Sequence, residues 1–329
     1  MIHRIQSTFM YSLKAYSFVL SMFSSLLIGC GTYRLSKEHR NTLQRNQHIS
    51  IKGINRSYHL FNPSQKANSP IIILFHGNGG SADNISGLSH VKAPYIPWFD
   101  IAANEGLILV IPDGTIGPKN SQGWNDCRND APRIPASDDV GFITTLLDTL
   151  KTSLRFDDRK VFMVGTSNGG HFVMRLAQEI PHRMTAFASI VASGPANSKC
   201  SISTIPVSAL FMNGTADPLV PYLGGNTENG TVISTDSSIA YWVKRNGTQT
   251  APIITEFPQK SSSKVIAYRY AQGVNDTEVM LYKVEGGGHI EPSRRERYSF
   301  LWTSFAGSQN GDIESAEEIW AFFKGKVRK

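Results

Sequence analysis

The chain predicts an α/β fold: a mostly parallel central sheet flanked by helices and entered through an antiparallel hairpin. Three observations carry this. Apolar runs at residues 71–75, 107–111, 161–164, 186–191, 207–212 and 280–284 alternate with longer stretches of helical periodicity, the rhythm of strands joined by crossover helices. The run Ile71-Ile72-Ile73-Leu74-Phe75 has no polar face, which suits a strand covered on both sides. Several runs also end in glycine-bearing turns that carry polar side chains, as at residues 76–80, 165–170 and 285–289.

The first 28 residues stand apart from this pattern. Residues 1–14 hold only Arg4 and Lys14 as charges, and residues 15–28 form an apolar run broken by serines, the build of an export signal. That run is shorter than the roughly twenty residues a spanning helix needs. Leu26-Leu27-Ile28-Gly29-Cys30 resembles a bacterial lipobox. The resemblance implies cleavage before Cys30, a diacylglycerol on its thiol and acylation of the new amino group, a stable membrane anchor because each buried methylene contributes about 0.8 kcal/mol. Gly31, where an aspartate would retain the protein at the inner membrane, implies the outer membrane in a Gram-negative cell. The expected division is a signal over residues 1–29, a polar, basic tether over 30–46 and one folded domain over 47–329, a length that one core can serve.

Within that domain the elements follow in order. Residues 47–51 and 56–61, separated by Lys52-Gly53, make the hairpin. The strand at 71–75 runs into His76-Gly77-Asn78-Gly79-Gly80, a loop whose backbone N–H groups suit an oxyanion; Asn78 and Gly79 are both candidates. His76 precedes the other chemical groups and sits inside the turn, so its expected role is to order the loop. Asp138 and Asp139 begin a helix running towards Leu150, where carboxylates cap free N–H groups.

The strand at 161–164 leads into Gly165-Thr166-Ser167-Asn168-Gly169-Gly170. A strand that turns sharply into a helix leaves no room for side chains two residues either side of the exposed serine, hence the glycines. Ser167 is the candidate nucleophile and the N–H of Asn168 the second oxyanion donor. A serine needs a base and the base an orienting acid. Asp217 leaves the strand at 207–212 on the loop 215–221, and His289 ends the turn Glu285-Gly286-Gly287-Gly288 after the last apolar run. His171, one helical turn beyond Ser167, is a rival base; Asp236 and Asp276 are rival acids in polar segments. The polar loops at 224–236 and 260–263 border the expected cleft.

The chain order Ser167, Asp217, His289 is that of the α/β-hydrolases. Together with the His-Gly-x-Gly-Gly loop, Gly123-Trp124-Asn125-Asp126-Cys127, the segment 138–143 and the segment 213–222, it resembles the esterases related to polyhydroxybutyrate depolymerases and feruloyl esterases. The resemblance runs from about Ser57 to His289. It implies that Ser167, Asp217 and His289 form a triad hydrolysing carboxylic esters through an acyl-enzyme, and that Trp124 lies near the acyl pocket; a core aromatic is the other reading of Trp124. The family often follows its histidine with an aromatic, proline and glycine, whereas here Ile290-Glu291-Pro292-Ser293-Arg294 follows, so the rim beside the base is expected to differ. Hydroxyalkanoate oligomers, feruloylated or acetylated polysaccharides and short-chain esters all fit as substrates.

Loss of the signal leaves Cys127 and Cys200 as the only cysteines besides Cys30. Export favours one disulfide that pins the Trp124 loop; two buried thiols are the alternative. The net charge of +7 falls to +5 once Arg4 and Lys14 are removed. The basic residues are scattered, without the aromatic interleaving of a nucleic-acid binder. No cluster has zinc spacing and no loop has a phosphate signature, so neither metal nor cofactor is expected. A monomer acting on an ester and tied to the membrane by its lipid anchor is the expectation. A lipid-anchored carbohydrate-binding or assembly protein with an idle hydrolase fold is the alternative.

Overall fold

The computed structural model describes residues 35–89 and 94–329; the expected signal, its lipobox and Cys30 lie outside the described residues. Ten strands form one sheet: Gln44–Ile51 (β1), Ile54–Phe61 (β2), Ile71–Phe75 (β3), Ile108–Pro112 (β4), Val161–Thr166 (β5), Ala186–Ile190 (β6), Ser208–Gly214 (β7), Ile253–Glu256 (β8), Lys264–Tyr270 (β9) and Val279–Glu285 (β10). Their spatial order is β1-β2-β4-β3-β5-β6-β7-β10-β9-β8. The centre, from β4 through β10, is parallel, while β1 and β2 at one edge and β9 and β8 at the other run antiparallel to their neighbours. The expected hairpin and all six apolar runs are present with ends moved by a residue or two, except that the first hairpin strand begins three residues earlier, at Gln44.

Helices cover both faces, which is why the central strands are apolar throughout. In β3, Ile72 and Leu74 enter one cluster with Trp98 and Phe99 of the helix Pro97–Glu105 and with Ile319 and Phe323 of the helix Ser315–Phe323. Ile71, Ile73 and Phe75 enter the other, with Phe142, Phe172 and Trp242 of the helices Asp139–Leu154, Asn168–Glu179 and Thr235–Asn246. Alternate side chains of one strand point to opposite faces, so an unbroken apolar run feeds two cores.

Three expectations need correction. The span 30–46 is not wholly a tether: Lys37–Thr42 is a helix capped by Ser36, and Leu35 and Leu43 on either side of it are buried. Its polar, basic surface hides this docking, in which the His39 ring meets Phe61 edge-on at 5.4 Å. Of the two carboxylates expected as caps, only Asp138 accepts the N–H of Gly141. Asp139 is buried against Arg56 at 2.8 Å and accepts the N–H of Asn125; burial pushes its carboxyl up, with Arg56 opposing. Finally, the six apolar runs omit β8 and β9: the four residues of the edge strand β8 are all exposed, and β9, between β10 and β8, buries only the short run Val265, Ile266 and Ala267.

Candidate functional site

The candidate residues gather at the carboxyl ends of the parallel strands, where open α/β sheets place their ligand sites. Ser167 follows β5 directly, Asn78 stands three residues beyond β3, Asp217 three beyond β7 and His289 four beyond β10. Strand adjacency then brings segments far apart in sequence together.

Ser167 adopts φ 53°, ψ −119°, a sparsely populated conformation for a residue with a side chain, costing on the order of 1–3 kcal/mol. The neighbouring glycines make the turn possible. A Cβ on Gly165 would lie 2.1 Å from the carbonyl oxygen of Gly169, and one on Gly169 would lie 2.5 Å from that of Phe75. The N–H of Ser167 donates to Ile190 O at 2.9 Å, which ties the turn to β6.

Asp217 and His289 are paired and nearly enclosed. Oδ1 of Asp217 accepts the backbone N–H groups of Leu219 and Val220, each at 2.8 Å, and Oδ2 accepts from His289 Nδ1 at 2.7 Å. With Nδ1 as donor, Nε2 of the neutral imidazole carries the lone pair. His289 and Ser167 line one cleft of about 510 Å³, shared with Asn78, Asn168, Arg128, His171, the segment 218–220 and the loop 226–229. No direct hydrogen bond joins Ser167 to His289 among the described contacts, a looseness common in unliganded sites that tighten on substrate. A larger hollow of about 720 Å³, lined by Pro181, Ser208, Glu278 and Lys326, lies at the other ends of the strands and, of the candidates, meets only the rival acid Asp276.

Of the two candidates for the first oxyanion donor, Gly79 is ruled out by its own bond: its N–H donates to Gln122 O at 2.7 Å. Asn78 lines the cleft beside Ser167. Asn168 begins its helix, where N–H groups have no intrahelical acceptor. Its side chain is clamped: Oδ1 accepts the N–H of Trp124 at 2.7 Å, and Nδ2 donates to Trp124 O at 3.0 Å and Asp126 Oδ2 at 2.9 Å.

Trp124 does not face the cleft, correcting the expectation of a substrate contact. It is 0% exposed, stacks on Phe172 with centroids 5.1 Å apart, meets Phe75 edge-on, and donates Nε1–H to His76 O at 3.0 Å. It is the core aromatic beneath the site. His76 orders its loop as expected, its Nε2 accepting the N–H of Gly114 at 2.9 Å. Cys127 and Cys200 form the expected disulfide, adjoining Asp126.

Three further residues of the site were not assigned such roles from sequence. Asp126, fully buried, holds Arg128 through Nε at 3.1 Å and Nη2 at 2.6 Å. Burial pushes its carboxyl up, but the Arg128 charge and hydrogen bonds outweigh this and hold it below the usual range. Glu291 is buried instead of forming part of a charged rim: it accepts from Thr166 Oγ1 at 2.6 Å, Tyr298 at 2.9 Å and Tyr95 at 3.2 Å. It thereby links the residue before Ser167 to the loop of His289. Asp236, a rival acid, accepts from Tyr222, and Asp276 pairs with Lys329.

The third is His171, the rival base. Its Nδ1 lies 2.9 Å from Ser193 O; a carbonyl only accepts, so Nδ1 carries the proton. Burial, with Arg128 adding to it, lowers its pKa to about 3. It makes no contact with an orienting carboxylate of its own. The native ring stays neutral while an unfolded histidine protonates near 6.5, so the unfolded chain binds the extra proton between those values. Stability from this residue is complete above 6.5 and is lost on acidification. Urea melts at pH 6.5 and 5.5 should show wild type losing about 1 kcal/mol more than His171→Gln over that interval; equal losses in the two chains would refute a buried neutral ring.

Residues 70–240 match the family model described as the alpha/beta hydrolase fold. The chain is 25% identical over 295 residues to a protein named as the esterase NocK of Nocardia uniformis subsp. tsuyamanensis, covering 84% of this chain and 81% of that one. It is 27% identical over 225 residues to a protein named as a feruloyl esterase C of Aspergillus niger, covering 67% of this chain and 73% of that one. Among solved structures, an acetyl xylan esterase from Aspergillus awamori superposes with a TM-score of 0.51 at 14% identity, covering 80% of this chain and 97% of that one.

Proposed function

Because the chain belongs to the alpha/beta hydrolase fold family, we propose that it is a serine hydrolase of carboxylic esters that works through an acyl-enzyme. The observation that carries this is the Asp217–His289 pair at 2.7 Å opening onto the same cleft as the strained Ser167.

In the first step Ser167 Oγ attacks the ester carbonyl while His289 Nε2 takes its proton. Asp217 stabilises the imidazolium across the Nδ1 bond. The N–H groups of Asn78 and Asn168 receive the oxyanion, each donor contributing roughly 3–4 kcal/mol in the transition state. His289 then protonates the departing alcohol. Water, deprotonated by the same imidazole, releases the acid and restores the serine.

Relatives named for feruloyl and acetylxylan esters support plant polysaccharide esters as one substrate class; hydroxyalkanoate oligomers and short-chain esters are the others. The disulfide supports an exported protein, and the lipobox ending in Cys30 supports attachment at the cell envelope by acyl chains. The test is mass spectrometry of a soluble chain beginning at Gly31 after exposure to a fluorophosphonate. One adduct on Ser167 is expected, absent in His289→Ala. An unlabelled, correctly folded wild type would overturn the reading and favour binding without turnover.

A further inference from the structure

Within the reading of the cleft as an ester hydrolase site, we infer that Arg128 and His171 form a recognition pair for a hydroxyl group carried by the substrate.

Both side chains line the cleft that holds Ser167 and His289, and neither has a part in the acyl transfer. His171 is 3% exposed, and its Nε2 has no partner among the described residues. Since Nδ1 donates to Ser193 O, Nε2 is a lone pair, a buried acceptor. The ring cannot become a donor by taking up a proton at any pH where the protein works, because burial and the neighbouring Arg128 keep it neutral down to about pH 3. Arg128 stands beside it with the opposite capacity. Asp126 takes up Nε and one Nη2 proton, while Nη1 has no partner among the described residues and an arginine has five N–H donors in all.

The pair therefore offers one acceptor and one donor, and ligand chemistry must match both. A carboxylate would meet the His171 lone pair with its own and gains little from a guanidinium already neutralised by Asp126. An ammonium would face Arg128. An apolar group would leave a buried acceptor unpaired, which is costly. A hydroxyl satisfies the two together, donating to His171 Nε2 and accepting from Arg128 Nη1. Sites that bond a substrate hydroxyl reject the analogue lacking it far more strongly than apolar pockets reject a methylene.

The experiment compares kcat/KM within two matched pairs, methyl 3-hydroxybutyrate against methyl butyrate and glycerol monoacetate against propyl acetate. The first places the hydroxyl in the acyl part and the second in the alcohol. Wild type should favour the hydroxylated member of at least one pair by about tenfold or more. His171→Phe, which keeps a ring of similar size without an acceptor, should bring the ratio within about twofold. His171→Gln, which restores an acceptor, should recover much of it, an ordering that a packing role does not produce. Ratios near one in wild type, or a preference that survives in His171→Phe, would overturn the inference. The same esters titrated against Ser167→Ala report binding without turnover. A chain that ignores fluorophosphonate yet binds the hydroxylated ester tighter defeats the hydrolase reading alone, and a labelled chain without the preference defeats the hydroxyl pair alone.

Discussion

Asp217→Asn should lower kcat about 10⁴-fold while leaving the cleft intact. The reason lies in the three donors around the carboxylate. Leu219 and Val220 N–H both point at Oδ1, so an asparagine must turn its carbonyl oxygen towards them and present its NH₂ to His289. That amide donates, and Nδ1 can only accept from it if its proton moves to Nε2. The imidazole then faces Ser167 with a hydrogen where the mechanism needs a lone pair. Because two backbone donors fix the amide's orientation, rotation offers no escape. Steady-state hydrolysis of a short-chain ester measures the loss, and circular dichroism confirms the fold. A decrease smaller than tenfold would mean that Asp217 does not set the histidine's tautomer.

Asp126→Ala should destabilise the protein by about 3–5 kcal/mol, the range for stripping one partner from a buried ion pair. Arg128 is 4% exposed, and without Asp126 its charge has no counterion in the enclosed wall of the cleft. Asn168 loses its bond to Oδ2 as well, so the residue after the nucleophile is held only by the Trp124 backbone. For a domain of this size the melting temperature should fall by on the order of 10 °C. Replacing both partners, as Asp126→Leu with Arg128→Met, should recover most of the loss. A single variant melting within 2–3 °C of wild type, about 1 kcal/mol, would show that water or another group takes over the pairing.

Much of this protein is readable from sequence because its chemistry sits where strands end. The runs at 71–75 and 161–164 announce buried strands, and glycines must flank Ser167 whatever else surrounds it, since the turn admits no Cβ. Asp217 and His289 are readable from the order of strand ends. The supporting residues are not, for their partners are distant in sequence. Glu291 acquires its meaning from Thr166, Tyr95 and Tyr298, and Asp126 from Asn168. Gly79 and Asn78 are equivalent on paper; a single bond from Gly79 to Gln122 separates them. Trp124 misleads for a related reason, being next in sequence to the site's wall while its ring points into the core. Leu35 and Leu43 escape notice because two apolar residues flanking one polar turn make no periodic signal.

The position of β10 in the sheet carries a consequence for the life of the polypeptide. It comes last in chain order among the strands of the sheet, yet it lies between β7 and β9, and its parallel pairing with β7 is what carries His289 to Asp217. A nascent chain that has folded everything through the serine turn and the acid loop still lacks His289, the proton acceptor of the proposed mechanism. Under the proposed mechanism such a chain stays inert towards esters until the segment from Val279 to His289 emerges and the strand is seated, since domains fold as units during synthesis. On the proposed mechanism, reactivity of Ser167 reports completion of the sheet: any misregistration that keeps β10 out leaves an intact elbow without its base.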